Sequence, residues 1–224
     1  ASLHQNGKLV LGHQRETEFF GKWPYLWEAR VDQLEEWYEQ LLQEGPKSDV
    51  DEAFLFTFPY FLGLAENAIQ YVVDATLDVF DYDVPTICHR RFHDRTWLVL
   101  SERGHYAKRP TEFVYDHPCR DLAEWIRAHK DELDSVKTFL HVYEQYEKLS
   151  TYGRCLLFAR LAFPLHYFEV IEHYYRSQVR EMREEAAAKF FELLRLEPMN
   201  EQFLRAFSEE VLNQALELPR VDWL

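Results

Sequence analysis

The sequence predicts a mainly α-helical domain with a small β-hairpin region. Three observations carry that reading. Apolar residues recur three and four apart through most of the 224-residue chain, as at Trp27, Val31, Leu34, Tyr38 and Leu41. Glycines number only seven, which leaves little material for a glycine-rich phosphate loop. Short apolar runs that fit strands are confined to the stretch between Pro85 and Asp116.

Taken in order, Pro24 suits the first turn of a helix, where its missing N–H costs nothing. Gly45-Pro46-Lys47-Ser48 ends that helix in a surface loop. Asp51 is expected to cap a second apolar segment, which Pro59 interrupts. A strong helix then runs over about 64–77, with Ala65 and Ala68 allowing close packing. Ile87 and residues 97–100 and 113–115 are the strands, and 101–108, with Gly104, is a hairpin-like tip. After Asp121 everything reads as helix. Leu122, Trp125, Ile126 and His129 share one face, and Val136, Phe139, Leu140 and Tyr143 share another. The pattern continues through Leu156, Leu161, Phe168, Ile171 and Tyr175, with breaks at Tyr152-Gly153 and at Pro164. Residues 186–196 and 203–218 close the chain as helices.

Hydrophobic residues at 47% and aromatics at 16% describe a folded chain with a bulky core, of a length that suits one domain. The net charge of −14 argues against nucleic acid as a partner, because phosphate backbones demand basic patches. It disfavours anionic membrane surfaces for the same reason. No apolar run approaches membrane-spanning length. The three cysteines (Cys88, Cys119 and Cys155) are odd in number and lack metal-site spacing, which fits reduced thiols in a cytoplasmic protein.

One stretch carries chemistry. Residues 86–100 read Thr-Ile-Cys-His-Arg-Arg-Phe-His-Asp-Arg-Thr-Trp-Leu-Val-Leu, and Asp116 is followed by Asp121-Leu122-Ala123. This layout resembles the catalytic loop and metal-binding strand of phosphotransferases of the aminoglycoside and choline kinase type. On that resemblance His89 and His93 match the two loop histidines. The catalytic Asp position holds Arg91, and the metal-binding Asn position holds Thr96. Phosphoryl transfer needs a carboxylate to orient the attacking hydroxyl and oxygen ligands to hold magnesium. Arginine is always charged and cannot accept a proton. One magnesium carboxylate remains, Asp116, with Glu112 as runner-up if the strand is read earlier.

Longer segments narrow the resemblance. Trp23-Pro24-Tyr25-Leu26-Trp27-Glu28-Ala29-Arg30, Phe58-Pro59-Tyr60 with Glu66-Asn67-Ala68-Ile69-Gln70-Tyr71, and Asp116-His117-Pro118-Cys119-Arg120-Asp121 resemble the YutH family of spore-coat-associated proteins. The resemblance implies the large (C-terminal) lobe of a protein-kinase-like, aminoglycoside phosphotransferase-like fold over 1–224, as a single domain. It also implies that the N-terminal small lobe, with its nucleotide-covering loop, is absent from this stretch; His4 fits the Leu-x-x-His segment that follows the hinge between lobes. The function it implies is a degenerate, non-catalytic kinase-like protein of the spore coat or its assembly, made in the cytoplasm and then carried in the coat. The implied partners are other spore-coat proteins, with neither nucleic acid nor membrane, and no cofactor is implied.

Two other functions stay open at this point. The first is an atypical small-molecule phosphotransferase using ATP and Mg, active only with its small lobe. The second is a helical metal-binding protein built on His166, Glu169 and His173, which stack on one helical face. Asp121 is expected to anchor the loop, and His89 to brace it as a satisfied structural histidine. Arg90, Arg91 and Arg95 form a basic cluster expected to pair with Asp94, Asp116 or Asp121. An apolar stretch of Leu3, Leu9, Val10 and Leu11, together with the face around residues 89–97, predicts self-association as a two-fold homodimer.

Overall fold

A computed structural model describes residues 1–8, 18–78, 83–92, 96–101 and 104–212. Ser2–Gly7 forms a short helix, α1, and Trp23–Glu44 forms α2 with Pro24 in its first turn. Helix α2 stops at Gly45, whose φ of 80° and ψ of 153° lie in a region that residues with a Cβ avoid. Four strands follow α3 (Asp49–Asp78): β1 (Thr86–His89), β2 (Leu98–Ser101), β3 (His105–Ala107) and β4 (Phe113–Asp116). Five helices complete the described chain: α4 (Cys119–Ala128), α5 (Leu133–Glu144), α6 (Thr151–Ala162), α7 (Leu165–Arg176) and α8 (Arg180–Phe207), the last running into a π turn over Ser208–Leu212.

Three details depart from the sequence reading. Helix α3 is continuous through Pro59 and starts earlier than Asp51. Ser48 does the capping: its Oγ accepts the Asp51 N–H at 3.2 Å, while the Asp51 carboxylate receives the Lys47 N–H at 2.9 Å and the Tyr175 hydroxyl at 2.8 Å. Proline removes one helical hydrogen bond, but Phe54, Phe58, Phe61 and Leu64 bury the same face on both sides of it. Burial holds the helix straight through. Helix α8 likewise passes Pro198 without a break, held by Phe190 on one side and Phe203 and Phe207 on the other.

The third departure is at Tyr152-Gly153, which lies in the first turn of α6 and not in a break. Ser150 caps that helix, its Oγ accepting the Gly153 N–H at 2.8 Å. Gly153 is small because others crowd it: a Cβ there would meet Asp83 Oδ2 at 2.9 Å and His117 Cε1 at 3.2 Å.

The core is helix against helix. Helix α3 packs between α2 and α6, α6 also packs on α4, and α7 packs on α8 and α2. Aromatic rings fill the joints. Phe61 and Tyr167 stack at 3.7 Å between centroids, Tyr167 meets Phe190 at 5.6 Å, and Trp27 stacks on Phe163 at 4.5 Å. Such rings bury large apolar areas and favour offset stacking, so they fix the helix faces as well as the distances.

The strands form two separate antiparallel pairs. β1 pairs with β4 in the register Thr86↔Asp116 to His89↔Phe113, and β2 pairs with β3 across Gly104 (φ 79°). The three-residue β3 lies inside what reads in sequence as a polar tip. Leu98, Val99 and Leu100 are solvent-exposed on their hairpin, at 42%, 69% and 64%. The β1–β4 pair, by contrast, is buried between α1 and α4, and the candidate site is built there. Leu3 is 36% exposed, and Leu9, Val10 and Leu11 lie outside the described residues. No helix among the described residues is long and apolar enough to cross a membrane.

Candidate functional site

The first turn of α4 carries Asp121 to His89, the last residue of β1, while Asp116, the last residue of β4, sits opposite Thr86 at the other end of the antiparallel pair. Asp121 is 5% exposed and accepts from three groups. The His89 backbone N–H reaches its two oxygens at 2.9 and 3.2 Å, His89 Nδ1 reaches Oδ2 at 2.6 Å, and His4 Nε2 reaches the same oxygen at 3.1 Å. A carboxylate only accepts, so both imidazole nitrogens facing it carry protons. His4 Nδ1 then accepts from the Tyr143 hydroxyl at 2.9 Å, which extends the network to α5. Thr86 donates to the His4 carbonyl at 2.6 Å and ties α1 to β1. Burial pushes the Asp121 carboxyl up, but the hydrogen bonds from His4 and His89 outweigh it and hold it below the usual carboxylate range.

Asp116 is fully buried. Its Oδ2 accepts the Trp23 indole N–H at 2.9 Å and the Arg120 guanidinium at 2.6 Å, and its Oδ1 accepts the His117 backbone N–H at 2.7 Å. Glu112, the alternative carboxylate, stands at the opposite end of β4, in a 3-10 turn whose carbonyl receives the Arg90 N–H at 2.7 Å.

The loop between β1 and β2 is pinned from below. Thr96 Oγ1 donates to the Arg91 carbonyl at 3.2 Å, and Lys108 Nζ donates to the same oxygen at 2.6 Å while lying 5.1 Å over the Trp97 ring. Arg91 itself is exposed, and His93, Asp94 and Arg95 lie outside the described residues. Among the described residues, the expected pairing of Arg90 and Arg91 with Asp116 or Asp121 does not occur. Asp116 is taken by Arg120 and Asp121 by two histidines, and among the described residues Arg90 and Arg91 form no ion pair.

His166, Glu169 and His173 do share the exposed face of α7. The nearest approach of His166 to Glu169 is 3.6 Å with both side chains more than half exposed, and the three do not gather around a common point. The described residues close enough to share an ion are instead His4, Cys88 and Asp121. Their atoms are already engaged with one another and with Tyr143, and the Cys88 thiol faces the carbonyls of Asp116 and His117 at 3.5 and 3.4 Å.

A second polar network braces the end of β4. His117 Nδ1 accepts the Cys119 N–H at 3.1 Å, so its Nε2 donates to Asp83 at 2.8 Å, and Ser150 donates to the same Asp83 oxygen at 2.5 Å. Cys119 donates to the Gly153 carbonyl at 2.9 Å. Burial pushes the Cys88 and Cys119 thiols well above their usual range, and burial raises Cys155 as well. The thiolate is the reactive form. The native protein is therefore expected to show no rapid reaction with a disulfide reagent at neutral pH and three reactive thiols after denaturation; fast native labelling of even one would contradict this packing.

The family model described as "Spore coat putative kinase YutH" matches residues 1–207. The chain belongs to the YutH family. Within it, the chain is 38% identical over 239 residues to the endospore coat-associated protein YutH of Bacillus subtilis, covering 100% of this chain and 67% of that protein. Among solved structures it resembles an aminoglycoside phosphotransferase from Alicyclobacillus acidocaldarius, with a TM-score of 0.62 at 13% identity. That likeness covers 82% of this chain and 56% of the phosphotransferase, and it shows a kinase-like fold. Asp121 lies in the first turn of α4 and holds His89 through both its backbone and its ring.

The sequence did not place four contributors at these carboxylates. His4 of α1 bonds Asp121 and is itself bonded by Tyr143 of α5, and Trp23 and Arg120 close on Asp116. Only Arg120 had a local signal, its spacing of four from Asp116.

Proposed function

We propose that this chain is a non-catalytic kinase-like component of the bacterial spore coat or of its assembly, working by association with other coat proteins. The observation that carries the reading is the state of Asp116. In phosphoryl transfer a strand-end carboxylate must present oxygens to magnesium. Here both oxygens are buried and engaged by an indole, a guanidinium and a backbone N–H. Arg91 at the base position adds positive charge where the reaction needs a proton acceptor, and the Thr96 hydroxyl is turned to its own loop. The coat association follows the printed names of the family and of the Bacillus subtilis relative.

Calorimetry with ATP provides the test. Titration with magnesium and ATP is expected to give no magnesium-dependent heat, both for this chain and for a longer form that carries any preceding lobe. Micromolar affinity that requires magnesium in either form would overturn the reading.

A further inference from the structure

Five arginines converge beside the site. Arg30 of α2, Arg90 and Arg91 of the β1–β2 loop, Arg120 of α4 and Arg160 of α6 line one cleft of about 210 Å³, against only Glu124 and Glu169. In a chain of net charge −14 this is a local reversal of sign. Arg120 and Arg30 have carboxylate partners, at 2.6 Å to Asp116 and 2.7 Å to Glu172. Arg90 and Arg91 have none among the described residues, and both are exposed at the rim.

Arg160 makes the cleft more than a patch. It is 6% exposed, it lies 4.6 Å over the Trp23 ring, and its nearest carboxylate oxygen, on Glu124, is 3.6 Å away. Its Nε–H is buried without a hydrogen-bond partner. A buried donor left unpaired costs about 1–3 kcal/mol, more when it is charged, so such groups are rare and call for a ligand. Burial and then the neighbouring Arg120 charge pull Arg160 down to about 10, which leaves it cationic at neutral pH.

We propose that this cleft is a binding site for a phosphate monoester, with the phosphoryl group received by Arg90, Arg91 and Arg160. The planar guanidinium fork matches phosphate oxygens in pairs, and three such forks around one pocket suit a dianion better than a single carboxylate. The cleft is smaller than pockets that enclose a whole drug-sized ligand, which start at roughly 300 Å³. It takes a head group. The carrier of that group has room next door, because Arg30, Arg91, Glu124 and Glu169 also line a more open groove of about 800 Å³ along α7. The site rests on these arginines alone and needs neither magnesium nor a catalytic base.

The test uses inorganic phosphate and phosphoserine as probes, with serine and glutamate as controls, in EDTA at constant ionic strength. Calorimetry is expected to show saturable binding of both phosphate probes and of neither control, with phosphoserine binding weakening as pH falls below about 6, where its dianion takes up a proton. The Arg160 Nε–H resonance is expected to shift with the same saturation curve. An Arg90→Ala, Arg91→Ala variant alters exposed side chains, so its fold can be checked by circular dichroism, and it should bind at least tenfold more weakly. Non-saturable heats, equal binding of glutamate, a requirement for magnesium, or a folded double variant that binds like the parent would each overturn the proposal. Magnesium-dependent ATP binding, by contrast, bears on the lost chemistry and leaves metal-free phosphate binding standing.

Discussion

Replacing Asp121 by alanine is expected to destabilise the protein by about 1–3 kcal/mol for a stranded buried donor, and it strands more than one. The change strands the His89 N–H, His89 Nδ1 and His4 Nε2, all buried, and Tyr143 loses its relay to the carboxylate through His4. At about 2–4 °C per kcal/mol for a domain of this size, thermal melting should show the loss clearly. Asp121→Asn keeps one acceptor and should fall between alanine and parent. The pH dependence follows from the sign of the shift. The folded carboxyl is held below its ordinary value, so its contribution is fully present above the unfolded pKa of about 3.9 and is lost as pH falls through the lower folded value. The alanine variant should lack that part of the acid limb. An unchanged melting temperature at neutral pH would show that the network carries no stability.

The second large effect is expected at Tyr167. It is 1% exposed and meets Phe54, Phe61, Phe168 and Phe190, so it joins α3, α7 and α8. Tyr167→Ala should cost about 3–5 kcal/mol, as large-to-small changes of buried aromatic residues do. Tyr167→Phe should cost only about 0.5–1.5 kcal/mol, because it removes one hydrogen bond, to Thr57 at 3.1 Å, and keeps the stack. Denaturant midpoints for the two variants separate packing from polarity. A phenylalanine variant as damaged as the alanine one would mean that the hydroxyl holds this joint.

Helix positions and the anchoring segment were legible because their signals are local. Trp27, Val31 and Leu34 announce a buried stripe by spacing alone, and Asp121-Leu122-Ala123 marks both a helix start and a loop partner. Pro59, and the gap read between residues 196 and 203, misled for the opposite reason. A proline's cost is local, while the aromatic burial that offsets it comes from other helices. The site was half legible. Arg91 and Thr96 are neighbours in one loop, where the Thr96 hydroxyl reaches the Arg91 carbonyl, but His4 meets Asp121 across 117 residues and Trp23 meets Asp116 across 93. No periodicity encodes such pairs. The orphaned donor of Arg160 is also invisible in sequence, since a mid-helix arginine reads as solvated surface.

The Arg120–Asp116 contact has a consequence for how the site behaves over time. In a working phosphotransferase the charge opposite this carboxylate is a diffusible ion that comes and goes with nucleotide. Here the positive charge is part of the chain, 2.6 Å away, and its guanidinium is also stacked 5.1 Å from the Phe19 ring. Arg120 acts as a tethered counter-ion. The charge balance at this carboxylate is therefore constitutive and independent of any diffusible cation. Removing the Arg120 side chain would leave Asp116 as a buried charge with no cation beside it.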